Sequence, residues 1–211
     1  MTAITPEEIE SLFERGGAYG FSRWGRPIAP VVFGVEEETI SVVKGALEAL
    51  CSLARHELAE TDPELGSNLM VFFIREWSDL KGVPDIDRLI PEMDPLLARL
   101  DEAKANQYRF FRFDEQGAIK AGFVFLRMDD TLADIPADVL VLGQMVQIML
   151  LWGEKAFAER SPLAIHPETK ATVLRPEIAQ VIQAAYDSVL PATAQDSSHA
   201  LRLFARISAV G

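Results

Sequence analysis

Residues 138–153 read Asp-Val-Leu-Val-Leu-Gly-Gln-Met-Val-Gln-Ile-Met-Leu-Leu-Trp-Gly, a segment apolar on every side. A helix without a charged face has to be wrapped by the rest of the fold, so this stretch predicts a buried central helix. Only Gln144 and Gln147 interrupt it. Three positions apart, they share one helix face and are close enough to touch. A central helix in an enzyme often carries acids or metal ligands. This one carries two amides, which do not titrate and ligate metals poorly. It predicts an element that holds shape, its amides satisfying each other and nearby backbone as buried polar groups must.

Working outward, residues 107–113 and 118–128 flank the turn Asp114-Glu115-Gln116-Gly117 and predict a β-hairpin. Asn68 to Ile74 is a continuous apolar run of strand length, as an interior strand requires. Glu36 to Glu60 predicts a long amphipathic helix whose stripe is Ile40, Val43, Leu47, Leu50, Ala54 and Leu58. Three glutamates at its start suit the positive end of the helix dipole, and Thr61-Asp62-Pro63 ends it. Before it, the turn-rich Ser22–Pro27 leads into a strand from Ile28 to Phe33, closed by Gly34. Thr5-Pro6-Glu7-Glu8 reads as a capped helix start, the helix running to about Arg15 and stopping at Gly16-Gly17.

Arg75 to Asp101 reads as connecting helix and loop, broken by Pro84, Pro91 and Pro95. Downstream, Pro176 to Leu190 predicts a second amphipathic helix stopped by Pro191, and Asp196 or Ser197 caps a last helix through Arg206. The order predicts an α+β fold, a mixed sheet of about four strands flanked by helices with 138–153 buried at the centre. It is expected as one domain over 1–211: an N-terminal helical arm (1–20), an α+β core (21–153) and C-terminal helices (154–211).

The net charge of −12 repels nucleic acid and anionic membranes, and neither is expected as a partner. A single cysteine, Cys51, provides neither a disulfide framework nor a multi-cysteine zinc site, and suits a reducing cytoplasm. The N-terminus lacks the basic and apolar regions of a signal peptide, and the run from Val139 to Trp152 is too short to span a bilayer. The expected address is cytoplasmic, with homo-oligomerisation left open.

His56-Glu57-Leu58-Ala59-Glu60 is close to the zinc-hydrolase signature His-Glu-x-x-His, with Glu60 at the second histidine. A metal-dependent hydrolase using His56, Glu57 and Glu60 is therefore the alternative function. At 100° per residue, however, His56 points away from the apolar stripe, onto the solvent face of the expected helix. Cys51 sits at the edge of the stripe and reads as a small buried hydrophobe. His166 lies in a loop with nothing nearby to complete a site, and Ser197-Ser198-His199 reads as a cap with an exposed histidine. No Gly-x-Ser-x-Gly elbow and no glycine-rich phosphate loop is present. No catalytic residue, metal or cofactor is expected.

Arg23, Arg26, Arg75, Arg109, Arg112 and Arg127 stand beside Trp24, Trp77, Tyr108, Phe110 and Phe111 near strand positions. Arginines and aromatics at strand ends build anion-binding grooves and partner surfaces. The plainer account is ion pairing with the 32 acids, the aromatics lying in the core. The candidate ligand-binding residues are Arg23, Trp24, Arg109 and Arg112 in one groove, together with Gln144 and Gln147. The expected function is that of a non-catalytic binding or interaction module for an unidentified protein or small molecule, with a homo-oligomeric scaffold as a third class.

The pattern resembles a family of uncharacterised bacterial proteins with a zincin-like, metallopeptidase-related fold. The matching features are Phe21-Ser22-Arg23-Trp24 with Pro27 before a strand, the long helix, Asn68 to Phe73, the buried helix, and Ile178 to Tyr186 with Asp187 and Pro191. In that fold the helix after the sheet carries the catalytic glutamate and metal-binding histidines. The resemblance places 138–153 there, where Gly143-Gln144-Met145-Val146-Gln147 supplies neither. It implies a descendant in which fold persists and catalysis does not.

Overall fold

In a computed structural model describing residues 4–84, 86–90 and 92–210, the chain opens with helix α1 (Pro6–Ser11). Its capping box is the expected one: the Thr5 hydroxyl accepts from the Glu8 amide, and the Glu8 carboxylate accepts from the Thr5 amide. The helix ends earlier than the sequence suggests. Gly16 and Gly17, both at positive φ, turn a hairpin between β1 (Glu14–Arg15) and β2 (Ala18–Tyr19). Strand β3 (Phe21–Ser22) follows, then β4 (Pro30–Phe33), two residues shorter at its start than expected.

Helix α2 (Glu37–Ala54) buries Val43, Leu47, Leu50, Cys51 and Ala54, so the middle of the stripe is as read, whereas Ile40 at its start is exposed. Its end is not. Arg55 adopts a left-handed conformation at φ 53°, and residues 57–59 leave the helix to pair with Ile28. After β5 (Leu69–Ile74) come a 3-10 turn (Trp77–Gly82), α3 (Ile86–Leu89) and α4 (Met93–Glu102). Pro91, one of the expected breakers, lies outside the described residues, as do the first three residues of the expected arm. The hairpin of β6 (Gln107–Phe113) and β7 (Ile119–Arg127) forms as predicted, with a register shift at Arg112/Phe113.

The short α5 (Asp130–Ala133) precedes α6 (Ala137–Met149), the central helix. From Leu140 to Leu150 no residue is exposed. The helix stops four residues before Gly153, because Leu150 turns extended and bridges Arg23, and the Leu151 amide donates to the Ser22 carbonyl. The C-terminal part is not helical throughout: β8 (Leu163–Ile165) and β9 (Thr172–Leu174) form a hairpin before α7 (Pro176–Ala185). Helix α7 ends five residues before Leu190, where the Tyr186 hydroxyl donates to the Met149 carbonyl at 2.7 Å. Strand β10 (Thr193–Ala194) pairs with β3, and α8 (Ser198–Val210) closes the chain, the Asp196 carboxylate accepting from the Ser198 amide.

The four-stranded sheet runs β4-β5-β7-β6, parallel except for the β6–β7 pair. It is the mixed sheet of an α+β fold. Alternation along its strands builds two cores. Leu69, Val71 and Phe73 of β5, with Val124 and Leu126 of β7, face α2 and α6. Phe72 and Ile74, with Ala121, Phe123 and Phe125, face the 3-10 turn, α3 and α4. On that second face a row of rings crosses all four strands in register: Phe33 on Phe72 at 4.8 Å, Phe72 on Phe125 at 4.9 Å, Phe125 on Tyr108 at 6.3 Å. Each such cross-strand aromatic pair is worth about 0.5–1.5 kcal/mol beyond burial. Among the described residues, no helix is long and apolar enough to cross a membrane.

Candidate functional site

The odd-numbered residues of β6 face α6, so Arg109 points at the amides of the buried helix. Its guanidinium donates to Gln144 Oε1 at 3.1 Å and to Gln147 Oε1 at 2.8 Å. Gln144 Nε2 donates in turn to Gln107 Oε1 at 2.8 Å, and Gln147 Nε2 to the Gly143 carbonyl at 3.1 Å. The two glutamines therefore do not pair with each other. One turn of helix spaces them to receive the two arms of a single guanidinium, and that geometry explains the otherwise odd pair of amides in an apolar helix.

Arg109 combines a positive charge with partial burial. Burial alone pulls its guanidinium from the usual arginine range down to about 10, so it stays charged at neutral pH. No carboxylate lies within ion-pair distance of it among the described residues, although acids outnumber bases by 32 to 20 in the chain. A guanidinium has five N–H donors. The amides take two of them. Neutral acceptors orient a buried cation but leave its charge uncompensated.

Arg109 and Gln147 line a cleft of about 740 Å³. Phe111, Phe113, Trp152 and Phe157 line it, together with Arg15 and Glu154. The walls are fixed. Trp152 stacks on Phe13 at 5.4 Å and donates its indole N–H to the Val146 carbonyl at 3.0 Å, while Phe157 meets Trp152 edge-on at 5.0 Å. The Arg15 guanidinium donates to the Trp152 carbonyl at 2.8 Å. Opposite Phe111, Gly122 lets two rings pack onto the strand: a Cβ there would meet the Trp24 ring at 3.2 Å and the Phe111 ring at 3.4 Å. The cleft thus couples a fixed cation to aromatic surface, the combination that receives a planar or alkyl carboxylate.

The other expected groove residues do not join it. Arg112 points to the opposite sheet face, lies 5.6 Å over the Phe123 ring and donates to the carbonyls of Arg88 and Leu89 at 3.0 and 2.9 Å. Trp24 is fully buried, its indole N–H spent on the Ile148 carbonyl at 2.8 Å. Arg23 sits 5.4 Å over the Tyr186 ring and makes long contacts of 3.4 and 3.5 Å to the carbonyls of Trp24 and Leu190. The period-two alternation of a strand puts Arg109 and Arg112 on opposite faces, so one groove never held them both.

His56 is also misplaced by the sequence. It lies beyond the end of α2, packs 4.9 Å from Tyr186, and its Nε2 bonds the Arg26 carbonyl at 2.9 Å; burial lowers its pKa. His56, Glu57 and Glu60 therefore share no helical face. His199 is not an exposed cap residue but a buried one, its Nδ1 2.8 Å from the Tyr19 hydroxyl and its Nε2 without a hydrogen-bond partner among the described residues. His166 Nδ1 accepts from the Glu168 and Thr169 amides within the β8–β9 turn. Cys51 is buried as expected, its thiol pushed up to about 11 by desolvation. Among the described residues, no group of three or more histidine, cysteine or acidic side chains is placed to hold a metal ion.

Sequence reasoning missed Gln107, Arg15, Trp152 and Phe157. The signal for Gln107 was present: Gln107 and Arg109 share a strand face, and Gln144 and Gln147 share a helix face. Comparison of the chain with protein-family models, with characterised proteins and with solved structures finds no match.

Proposed function

We propose that this chain is a non-catalytic binding module and that its site is the cleft beneath Arg109, which takes the carboxylate of a ligand or partner. The observation carrying the reading is a partly buried guanidinium held by two neutral amides, with no carboxylate within ion-pair distance among the described residues. Such a group gains from an arriving anion, because the lowered local dielectric strengthens the contact and part of its own solvation is already lost. The aromatic walls add apolar contact for the body of the ligand. The reading includes the zincin-like resemblance, with α6 in the place of the motif helix and amides in place of acid and histidines. It includes a cytoplasmic address, supported by a lone buried thiol.

Benzoate is the test probe. The expected result is a saturable shift of the Arg109 Nε–H resonance at millimolar benzoate, with at least a tenfold loss of affinity in Arg109→Gln. Arg109→Lys, which keeps the charge but loses the fork, retains part of it. An unchanged Arg109 signal across the titration overturns the reading.

A further inference from the structure

Strand β6 is an edge of the sheet, paired with β7 on one side only. The Arg127 amide donates to the Asn106 carbonyl, and this bond sets the phase of the antiparallel ladder. Asn106, Tyr108, Phe110 and Arg112 turn their backbone groups toward β7, and Gln107, Arg109 and Phe111 turn theirs outward. Among the described residues, no hydrogen bond reaches those outward groups. Such a row is a template for another strand. Its edge defences are Arg109, Arg112 and the register shift at Arg112/Phe113; of the seven residues four are aromatic and none is proline or lysine.

A cleft opens on each side of this edge. On the α6 side is the 740 Å³ cleft of Arg109. On the α4 side lies one of about 320 Å³ lined by Tyr108, Phe110, Leu89, Ile90 and Leu96, together with Arg99 and Glu92. Successive side chains of an added strand alternate between these faces. The strand's backbone would take the free groups of Gln107, Arg109 and Phe111 while its side chains fell by turns into the Arg109 cleft and the Tyr108–Phe110 cleft.

We propose that β6 accepts an extended peptide segment by strand addition, with an acidic side chain directed to Arg109 and the adjacent residue, large and apolar, directed to the Tyr108–Phe110 cleft. The inference rests on the proposed carboxylate site and specifies its ligand. Charge selects the occupant. A second copy pairing through its own β6 would bring Gln-Tyr-Arg-Phe-Phe-Arg-Phe, which holds two cations and no acid. It leaves Arg109 as uncompensated as before, whereas an acidic peptide supplies the missing anion.

The test uses the full chain and varies the peptide, so folding of the protein is never at issue. The probe is the acetylated, amidated hexapeptide (Glu-Leu)3, with (Lys-Leu)3 and an alternately N-methylated (Glu-Leu)3 as controls. Amide hydrogen exchange is followed residue by residue. The expected result is slowing of at least tenfold at Gln107, Arg109 and Phe111 with (Glu-Leu)3, no further slowing at Tyr108 and Phe110, and no effect from either control. Equal slowing by (Lys-Leu)3 overturns the charge assignment, and equal binding of the N-methylated peptide overturns strand addition. Edge amides already slow without peptide, together with a dimeric mass in sedimentation, overturn the inference in favour of self-pairing. Benzoate shifting Arg109 while (Glu-Leu)3 leaves the edge amides unchanged overturns the inference and keeps the carboxylate site; failure of both probes overturns both.

Discussion

The two faces of the sheet are built by opposite rules. On the α4 face, Phe33, Phe72, Phe125 and Tyr108 stack across the strands, and Phe110 lies on Phe123 at 4.5 Å. On the α6 face the same strands present Arg109 to Gln144 and Gln147, and the helices packed there bury His199 and the Tyr186 hydroxyl as well. One face is held by ring contact and excluded water, so volume governs it. The other contains groups whose hydration has been surrendered for particular partners, so charge and hydrogen bonding govern it. A ligand for this protein is therefore to be sought on the α6 face and along the edge where the two meet.

The largest expected effect tests the ring face. Phe125 is fully buried and lies between Phe72 and Tyr108. Phe125→Ala removes the middle of the row and leaves a cavity, which is expected to cost about 3–5 kcal/mol in urea unfolding. The folded fraction of that variant should still shift its Arg109 resonance with benzoate. A cost below about 1 kcal/mol would mean the rings are not what holds that face.

Next comes a pH effect confined to the helix side. Burial holds the His199 imidazole down to about 4, with the Arg202 charge adding to the shift, whereas in the unfolded chain a histidine titrates near 6.5. Below about pH 6.5 the unfolded state binds a proton that the native state refuses, so stability is lost as pH falls toward about 4 and levels off beneath it. His199→Asn keeps a polar group near the Tyr19 hydroxyl and removes the titration. The difference in urea midpoint between the wild-type chain and this variant should stay constant from pH 8 to about 6.5. It should then shift steadily against the wild-type chain on acidification, with a slope limited by one proton to about 1.4 kcal/mol per pH unit. A difference independent of pH would show that His199 is protonated equally in both states.

What was legible in the sequence follows the same division. Apolar periodicity located α2, continuous apolar runs located α6 and β5, and a glycine-bearing turn located the β6–β7 hairpin, because each of these signals is written along the element itself. Helix ends were read poorly wherever tertiary contacts set them. Arg55 terminates α2 because residues 57–59 are claimed by Ile28, and Leu150 leaves α6 to bridge Arg23. The site was half legible. Arg109, Gln144 and Gln147 were singled out, but their union was not, since a strand residue meeting a helix 35 positions later leaves no local trace. Arg23, Trp24 and Arg112 were drawn into the same groove by composition; strand alternation turns Arg112 away, Trp24 is buried on the Ile148 carbonyl, and Arg23 lies over the Tyr186 ring.

The smallest expected effect sharpens the comparison most directly, because it sets two arginines of one strand against each other. Arg112 is exposed, and its contacts are the carbonyls of Arg88 and Leu89 and the Phe123 ring. Water can replace most of what Arg112→Gln removes, so a loss of only about 0.5–1 kcal/mol is expected. Its benzoate affinity should equal that of the wild-type chain, whereas Arg109→Gln should lose at least tenfold. If both substitutions weakened benzoate equally, the anion would be responding to the positive charge of β6 at large. The distinction between the faces would then fail as an account of function, though not of stability, since the Arg109 fork would no longer be what recognises the carboxylate.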